Sequence, residues 1–449
     1  MEQNNALARK FNAASLLRFA LPNIAMMMLL SMYTIVDGMF ISRFAGTTAL
    51  SAINMSYPLN CLQMAIGIML GTGGSAIIAR RQGEGRTDEA RRNFTMLIAV
   101  ALGIGLIFTV FGNLFLNPIL RLLGTSELQW ADCRIYTRIQ LVFAPMLFLQ
   151  TAFQTLFVTA GKPGLGLLTS VGGGITNVVL DWLFMGPMNM GVAGAAIATL
   201  GSRVISAVVV FAFLHNPSQE IAVRDYLHIR PDGRRIMRIL SLGIPNGIEN
   251  AMFQFGKLAI QSTVSTLGTI AIAAQAMTNI LENLNGIAAI GIGIGMMTVV
   301  GQCLGAGRKD EAIYYIKKLT AVAEIVIVAS CALVFLATKP VTILGGMEPE
   351  SAKMCLYMVG WITVVKPIVW TLAFIPAYGM RAAGDVRFSM ILSCISMWAF
   401  RVTLCIYLCR VHGFGPIAVW IGMFTDWTIR GIVFTFRFMG RRWLAHKVV

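Results

Sequence analysis

The sequence reads as an all-α polytopic membrane protein. Charged residues make up only 12% of its 449 positions and hydrophobic residues 57%, where a soluble domain carries about 25% charged. Many apolar runs reach the roughly 20 residues a helix needs to cross the bilayer core. Those runs are continuous, whereas the strands of a membrane β-barrel are short and alternate in polarity. Together these features exclude a disordered chain, a coiled coil and an ordinary cytosolic enzyme.

Twelve apolar segments follow one another, and each is long enough for a membrane helix. The first, near 16–40, comes after Arg9, Lys10 and Arg18. It is too long for the core of a signal peptide and no small-residue cleavage site follows it, so it is expected to stay in the protein. Five more lie near 53–79, 93–116, 137–160, 165–187 and 190–214. The longest polar stretch comes next, His215 to Arg238, with turn-forming clusters at Asn216-Pro217-Ser218 and Arg230-Pro231-Asp232-Gly233. The last six lie near 240–266, 276–301, 317–337, 355–379, 388–409 and 415–437. The expected organisation is two six-helix lobes, 1–214 and 240–449, joined by a cytoplasmic linker, 215–239.

The net charge of +16 first suggests nucleic acid. Membrane topology accounts for it instead. With the N-terminus inside, 24 Lys and Arg fall on the cytoplasmic side and seven on the other, the bias expected of inner loops. Both termini are therefore expected in the cytoplasm, with no nucleic-acid partner. The eight cysteines are scattered through apolar sequence without a C-x-x-C pair, which suits small buried hydrophobes. The four histidines fall in or beside loops, so a histidine metal site or intramembrane relay is not expected.

The two halves repeat. Gly83-Glu84-Gly85-Arg86-Thr87-Asp88-Glu89-Ala90 matches Gly305-Ala306-Gly307-Arg308-Lys309-Asp310-Glu311-Ala312 at an offset of 222 residues. Leu21-Pro22-Asn23 answers Ile244-Pro245-Asn246 at 223. Six helices per half keep both copies in the same orientation, so the repeat is parallel. Transporters of this build hold cargo between their halves and alternate access by rocking.

Ionisable side chains at membrane depth are costly and mark function by default. The first half has Asp37 in helix 1 and Asp181 in helix 5. Asn177 lies four residues before Asp181, and Tyr33 four before Asp37, so each pair shares a helix face. Two carboxylates, an amide oxygen and a hydroxyl are hard ligands suited to Na⁺. Two close carboxylates also raise one pKa, which suits H⁺. Either ion makes this a coupling site. The repeat partners of the two acids are Ile260 and Leu404, so the acids belong to the first half alone. In the second half Glu249, Lys257, Glu282 and Lys366 are candidates for a substrate cavity, with Glu249 foremost. Glu249 and Lys257, eight apart, return to nearly the same helix face, where either could line the cavity or be neutralised by the other, and Glu282 lies near a helix end, within reach of water. Arg401 and an Asp426–Arg430 pair four apart complete the set. Pro22 in helix 1 removes one helix hydrogen bond and permits a kink; it equally suits a helix start.

The ordered set of these segments resembles the multidrug and toxic compound extrusion (MATE) family, and within it the DinF-like branch. The resemblance rests on Pro22, Val36-Asp37-Gly38, Gly46-Thr47, Gly83-Glu84-Gly85, Asn177 with Asp181, Gly191-Val192-Ala193-Gly194, Gly301-Gln302 and Arg381-Ala382-Ala383-Gly384-Asp385. It implies two lobes in a V and export of drugs by Na⁺ or H⁺ antiport, with no other cofactor. It assigns the first-lobe cation site to Asp37, Asn177, Asp181 and Thr199, and the helix 1 switch to Pro22 and Tyr33. An acid that another branch carries further along helix 7 is Phe253 here, with Glu249 one turn earlier. The expected protein is thus a monomeric plasma-membrane exporter of amphipathic, cationic or aromatic small molecules. The alternative is a flippase for a lipid-linked sugar, for which Lys257, Lys366 and Arg401 would supply positive charge. No nucleophile constellation, metal-ligand cluster or phosphate loop points to an enzyme or an ATP-driven pump.

Overall fold

Hydrocarbon offers no partner for backbone N–H and C=O groups, so a chain this apolar satisfies them within helices. The computed structural model describes residues 21–26, 28, 29, 44, 56–122, 125, 127–159, 163–214, 232–344 and 346–445. Among these there is no strand, and nine helices are long and apolar enough to cross a membrane. The chain divides into two compact units, one through Gly247 and one from Ile248.

In the first unit α1 (Tyr57–Gly83) packs on α5 (Ala144–Thr159), which also meets α2 (Thr87–Leu114). A short α3 (Leu116–Leu122) precedes α4 (Glu127–Val142). Then α6 (Pro163–Met185) and α7 (Gly191–Leu214) form an antiparallel pair. The single segment expected at 137–160 is two helices, α4 and α5, parted at Phe143. The cause is Pro145, which cannot donate to the preceding turn and suits the first turn of a new helix.

The boundary between the units falls inside α8 (Gly233–Val264). Asp232 starts this helix, accepting from the Arg234 backbone N–H at 3.0 Å and from Arg235 Nε at 3.0 Å. Desolvation opposes ionisation of Asp232, but the hydrogen bonds from Arg235 and from the two backbone N–H groups outweigh it and hold its pKa below the ordinary value. The first half of α8 passes close to α1. A Cβ on Gly73 would sit 2.5 Å from the Ile239 carbonyl oxygen and 2.9 Å from Gly243 Cα. Small residues permit this approach of backbones, as membrane helix pairs require. Asn246 Nδ2 donates to Thr72 Oγ1 across the same contact at 3.1 Å.

In the second unit α9 (Thr269–Gly305), α10 (Lys309–Leu344) and α11 (Pro349–Ala382) pack on one another. The helices α9 to α11 run well past the apolar segments that predict them, because polar end turns continue the helix. The next apolar segment is α12 (Val386–Ile395), a π-helical stretch over Ser396–Val402, and α13 (Thr403–Arg410). It packs against α14 (Ile417–Met439), as does α11.

The repeat appears as matching geometry. Gly85 and Gly307 hold φ of 75° and 76°. The Arg86 N–H donates to the Arg81 carbonyl at 2.9 Å, and the Arg308 N–H to the Cys303 carbonyl at 2.8 Å. Both turns close a long helix with a left-handed residue and open the next one.

Candidate functional site

Two side-chain clusters stand out at membrane depth, one in each unit. In the first, Asn177 and Asp181 lie one turn apart on α6 and neither exposes any surface. Among the described residues neither atom of the Asn177 amide has a hydrogen-bond partner. A buried amide left unmatched costs about 1–3 kcal/mol, so its position calls for a reason other than stability.

The α6–α7 register places Thr199. Gly173 meets Ser206, Leu180 meets Gly201, and Phe184 meets Gly194. This antiparallel order sets Thr199 level with Asp181, and Arg203 level with Asn177. Thr199 and Arg203 are both half-buried. Ser170, on the same face of α6 two turns before Asn177, lines a small pocket with Gln150, Thr169, Ser206, Phe153 and Phe157. Pro22 lies in a helical segment, 21–26, and is half-buried. Asp37 and Tyr33 lie outside the described residues.

The second unit brings its charges together more fully. Lys366, on α11 and fully buried, donates to Glu282 Oε1 at 2.6 Å and to the Glu282 carbonyl at 3.0 Å. Its ammonium also sits 5.1 Å from the Trp370 ring centroid and 5.9 Å from that of Trp427. Asp426 accepts from Arg430 Nε at 2.7 Å and from the Ser396 hydroxyl. Arg430 also donates to the Ser393 hydroxyl at 3.3 Å and to the Ser393 carbonyl at 3.2 Å. The sequence placed Asp426 and Arg430 as a pair, and the structure makes it one.

One expectation fails, that for Glu282, and Glu249 finds a partner outside its own helix: Arg381, with Nη2 at 2.6 Å from Oε1. Glycine-rich turns give no sign that the end of α11 returns to α8, so this contact 132 residues away was not legible. Glu282 is not near a helix end. Helix α9 begins at Thr269, and Glu282 is largely buried against Lys366, with 15% of its side chain exposed. The sequence reading also passed over two intramembrane charges, Arg203 on α7 and Glu324 on α10. Both were findable as ionisable residues inside apolar runs. Among the described residues Arg203 makes no ion pair.

The family model MatE matches the chain twice, over residues 22–183 and 245–407, one match for each half of the repeat. The chain belongs to the MatE family. As a MatE protein it is a membrane transporter and not an enzyme. It is 24% identical over 412 residues to the probable multidrug resistance protein YoeA of Bacillus subtilis, covering 90% of this chain and 88% of that protein. It is 23% identical over 444 residues to the probable multidrug resistance protein NorM of Thermotoga maritima, covering 97% and 94%. A crystal structure of MATE in complex with MaD3S aligns with a TM-score of 0.90 at 20% identity over 98% of each chain. That likeness extends the MatE fold over almost the whole sequence.

Proposed function

We propose that this transporter exports amphipathic small molecules, cationic or aromatic drugs among them, by antiport against Na⁺ or H⁺. The observation that carries the reading is the Asn177 amide, fully buried, without a hydrogen-bond partner among the described residues, and one turn from an equally buried Asp181. An amide oxygen and a carboxylate on one helix face are the start of a hard-cation or proton site. Asp37 and Thr199 would complete it, with Tyr33 beside Asp37. Cation entry at Asp37 and Asp181 would shift helix 1 at Pro22 and release cargo outside. The names of the relatives, two of them multidrug resistance proteins, support drug cargo and do not speak for a lipid-linked sugar. The lobes would be 1–214 and 240–449, joined by the linker 215–239. The protein would act as a monomer in the plasma membrane, with both termini in the cytoplasm.

The test is dye export from proteoliposomes under an imposed Na⁺ gradient and then a pH gradient. Wild type should move a cationic dye under one of them, and Asp37→Asn and Asp181→Asn should not. Export by both variants at the wild-type rate would refute the reading.

A further inference from the structure

Most arginines that the sequence assigns to the cytoplasmic side of the first unit are matched by acids. Arg80, Arg81 and Arg86 share Glu84 and Glu89, and Arg91 meets Asp88. On α8, Arg235 Nε lies 3.0 Å from Asp232 Oδ2. Its neighbours Arg234 and Arg238 differ. Among the described residues the side chain of neither makes an ion pair or a hydrogen bond. The two stand one turn apart, a spacing at which like charges repel. The acid that starts the helix cannot relieve them, because Asp232 already accepts from Arg235 and from the Arg234 backbone N–H.

An open groove of about 390 Å³ lies against this pair. Among the described residues Gly233, Arg234, Met237, Arg238 and Ser241 line it. Their spacing of three and four residues puts them on one face of α8. That face continues to Ile244. Met237 is 67% exposed and Ile244 42%, and Arg234, Arg238 and Ser241 are exposed too. The stripe is therefore charged at its outer end and apolar where it enters the membrane. Its depth follows from helix geometry. The apolar segment begins near 240, and each residue adds about 1.5 Å. Arg234 and Arg238 thus stand about 9 and about 3 Å outside the hydrocarbon core, at the level of the lipid headgroups.

We propose that this groove binds the headgroup of an anionic phospholipid of the inner leaflet. The phosphodiester would sit between Arg234 and Arg238, whose guanidinium forks match phosphate oxygens. One acyl chain would run along Met237 and Ile244. Anionic lipids of the cytoplasmic leaflet attract basic side chains at this level. The groove offers no free carboxylate to the ammonium of a zwitterionic headgroup, so it favours a lipid of net negative charge. The bound lipid would hold the start of α8 in the headgroup layer. The site needs neither Asp37 nor Asp181, so it stands or falls apart from the antiport reading.

The test is native mass spectrometry of the full-length protein, released from detergent micelles that contain phosphatidylglycerol or phosphatidylcholine. Wild type should bind phosphatidylglycerol about tenfold more tightly than phosphatidylcholine. Arg234→Gln combined with Arg238→Gln should lose about tenfold or more of the phosphatidylglycerol affinity. Its affinity for phosphatidylcholine should change by less than about twofold, which also shows that the variant is folded. Lys309→Gln combined with Lys317→Gln removes two equally exposed cations outside the groove and should bind both lipids like wild type. Inorganic phosphate in excess should displace no lipid. Equal affinity of wild type for the two lipids would overturn the proposal, as would equal losses in the two double variants, which would show attraction by charge alone. Displacement by inorganic phosphate would overturn the lipid as occupant and leave a site for a free anion.

Discussion

Asn177 and Lys366 are both fully buried polar side chains, and they meet opposite fates. Lys366 is matched by Glu282 through two hydrogen bonds and by the Trp370 and Trp427 rings. Removing one partner of such a pair strands the other. Lys366→Met should therefore destabilise the protein by about 3–5 kcal/mol, and adding Glu282→Gln should recover most of that. Thermal unfolding in detergent of the two single variants and the double variant checks this. Asn177 has no hydrogen-bond partner among the described residues, so its replacement by an apolar side chain breaks no described hydrogen bond. Asn177→Leu should leave the unfolding temperature unchanged or raise it, and should weaken gradient-driven export. A lower unfolding temperature would show an amide that holds the fold. The sequence disclosed these residues because each is polar inside an apolar run. It did not disclose partners. Glu249 finds Arg381 at a distance of 132 residues, and no local spacing encodes that meeting.

At the scale of elements, the duplicated turns give the cleanest comparison. Gly85 and Gly307 share positive φ, hydrogen-bond pattern and open surroundings, since a Cβ on either would touch nothing within 4 Å. Alanine at either position would meet only backbone strain, of about 1–2 kcal/mol. Gly85→Ala and Gly307→Ala should thus lower stability by equal amounts, and unequal losses in thermal unfolding would contradict the matched geometry. The turns were legible in the sequence because glycine pairs and an Arg-x-Asp-Glu run recur at a fixed offset. Helix ends and interruptions were less so. Hydropathy sees the apolar interior of α10 but not its first eight residues, where charged side chains continue the helix. It merged α4 with α5, because the break at Phe143 changes backbone direction and leaves polarity unchanged. It also missed the π-helical stretch, whose residues Ser396–Val402 differ from an ordinary turn only in hydrogen bonding.

Over the whole molecule, composition alone carried the class. A chain with 12% charge and 57% apolar residues has few other ways to satisfy its backbone. The duplication was equally plain, and the MatE model matches once on each half. The halves differ in chemistry on this shared scaffold. The first keeps Asp181 and Asn177 on one face of α6; the second has Leu404 in the place of Asp181 and instead gathers Lys366, Arg401 and Arg430. In the proposed antiport the first-half acids exchange a cation for cargo. Its most direct test is cation release by the purified protein on addition of a cationic dye, followed with ²²Na⁺ and with a pH indicator. Wild type should release one of the two ions as the dye binds, and Asp181→Asn should release neither. Dye binding with no ion released by wild type, or with the same release from Asp181→Asn, would contradict that exchange.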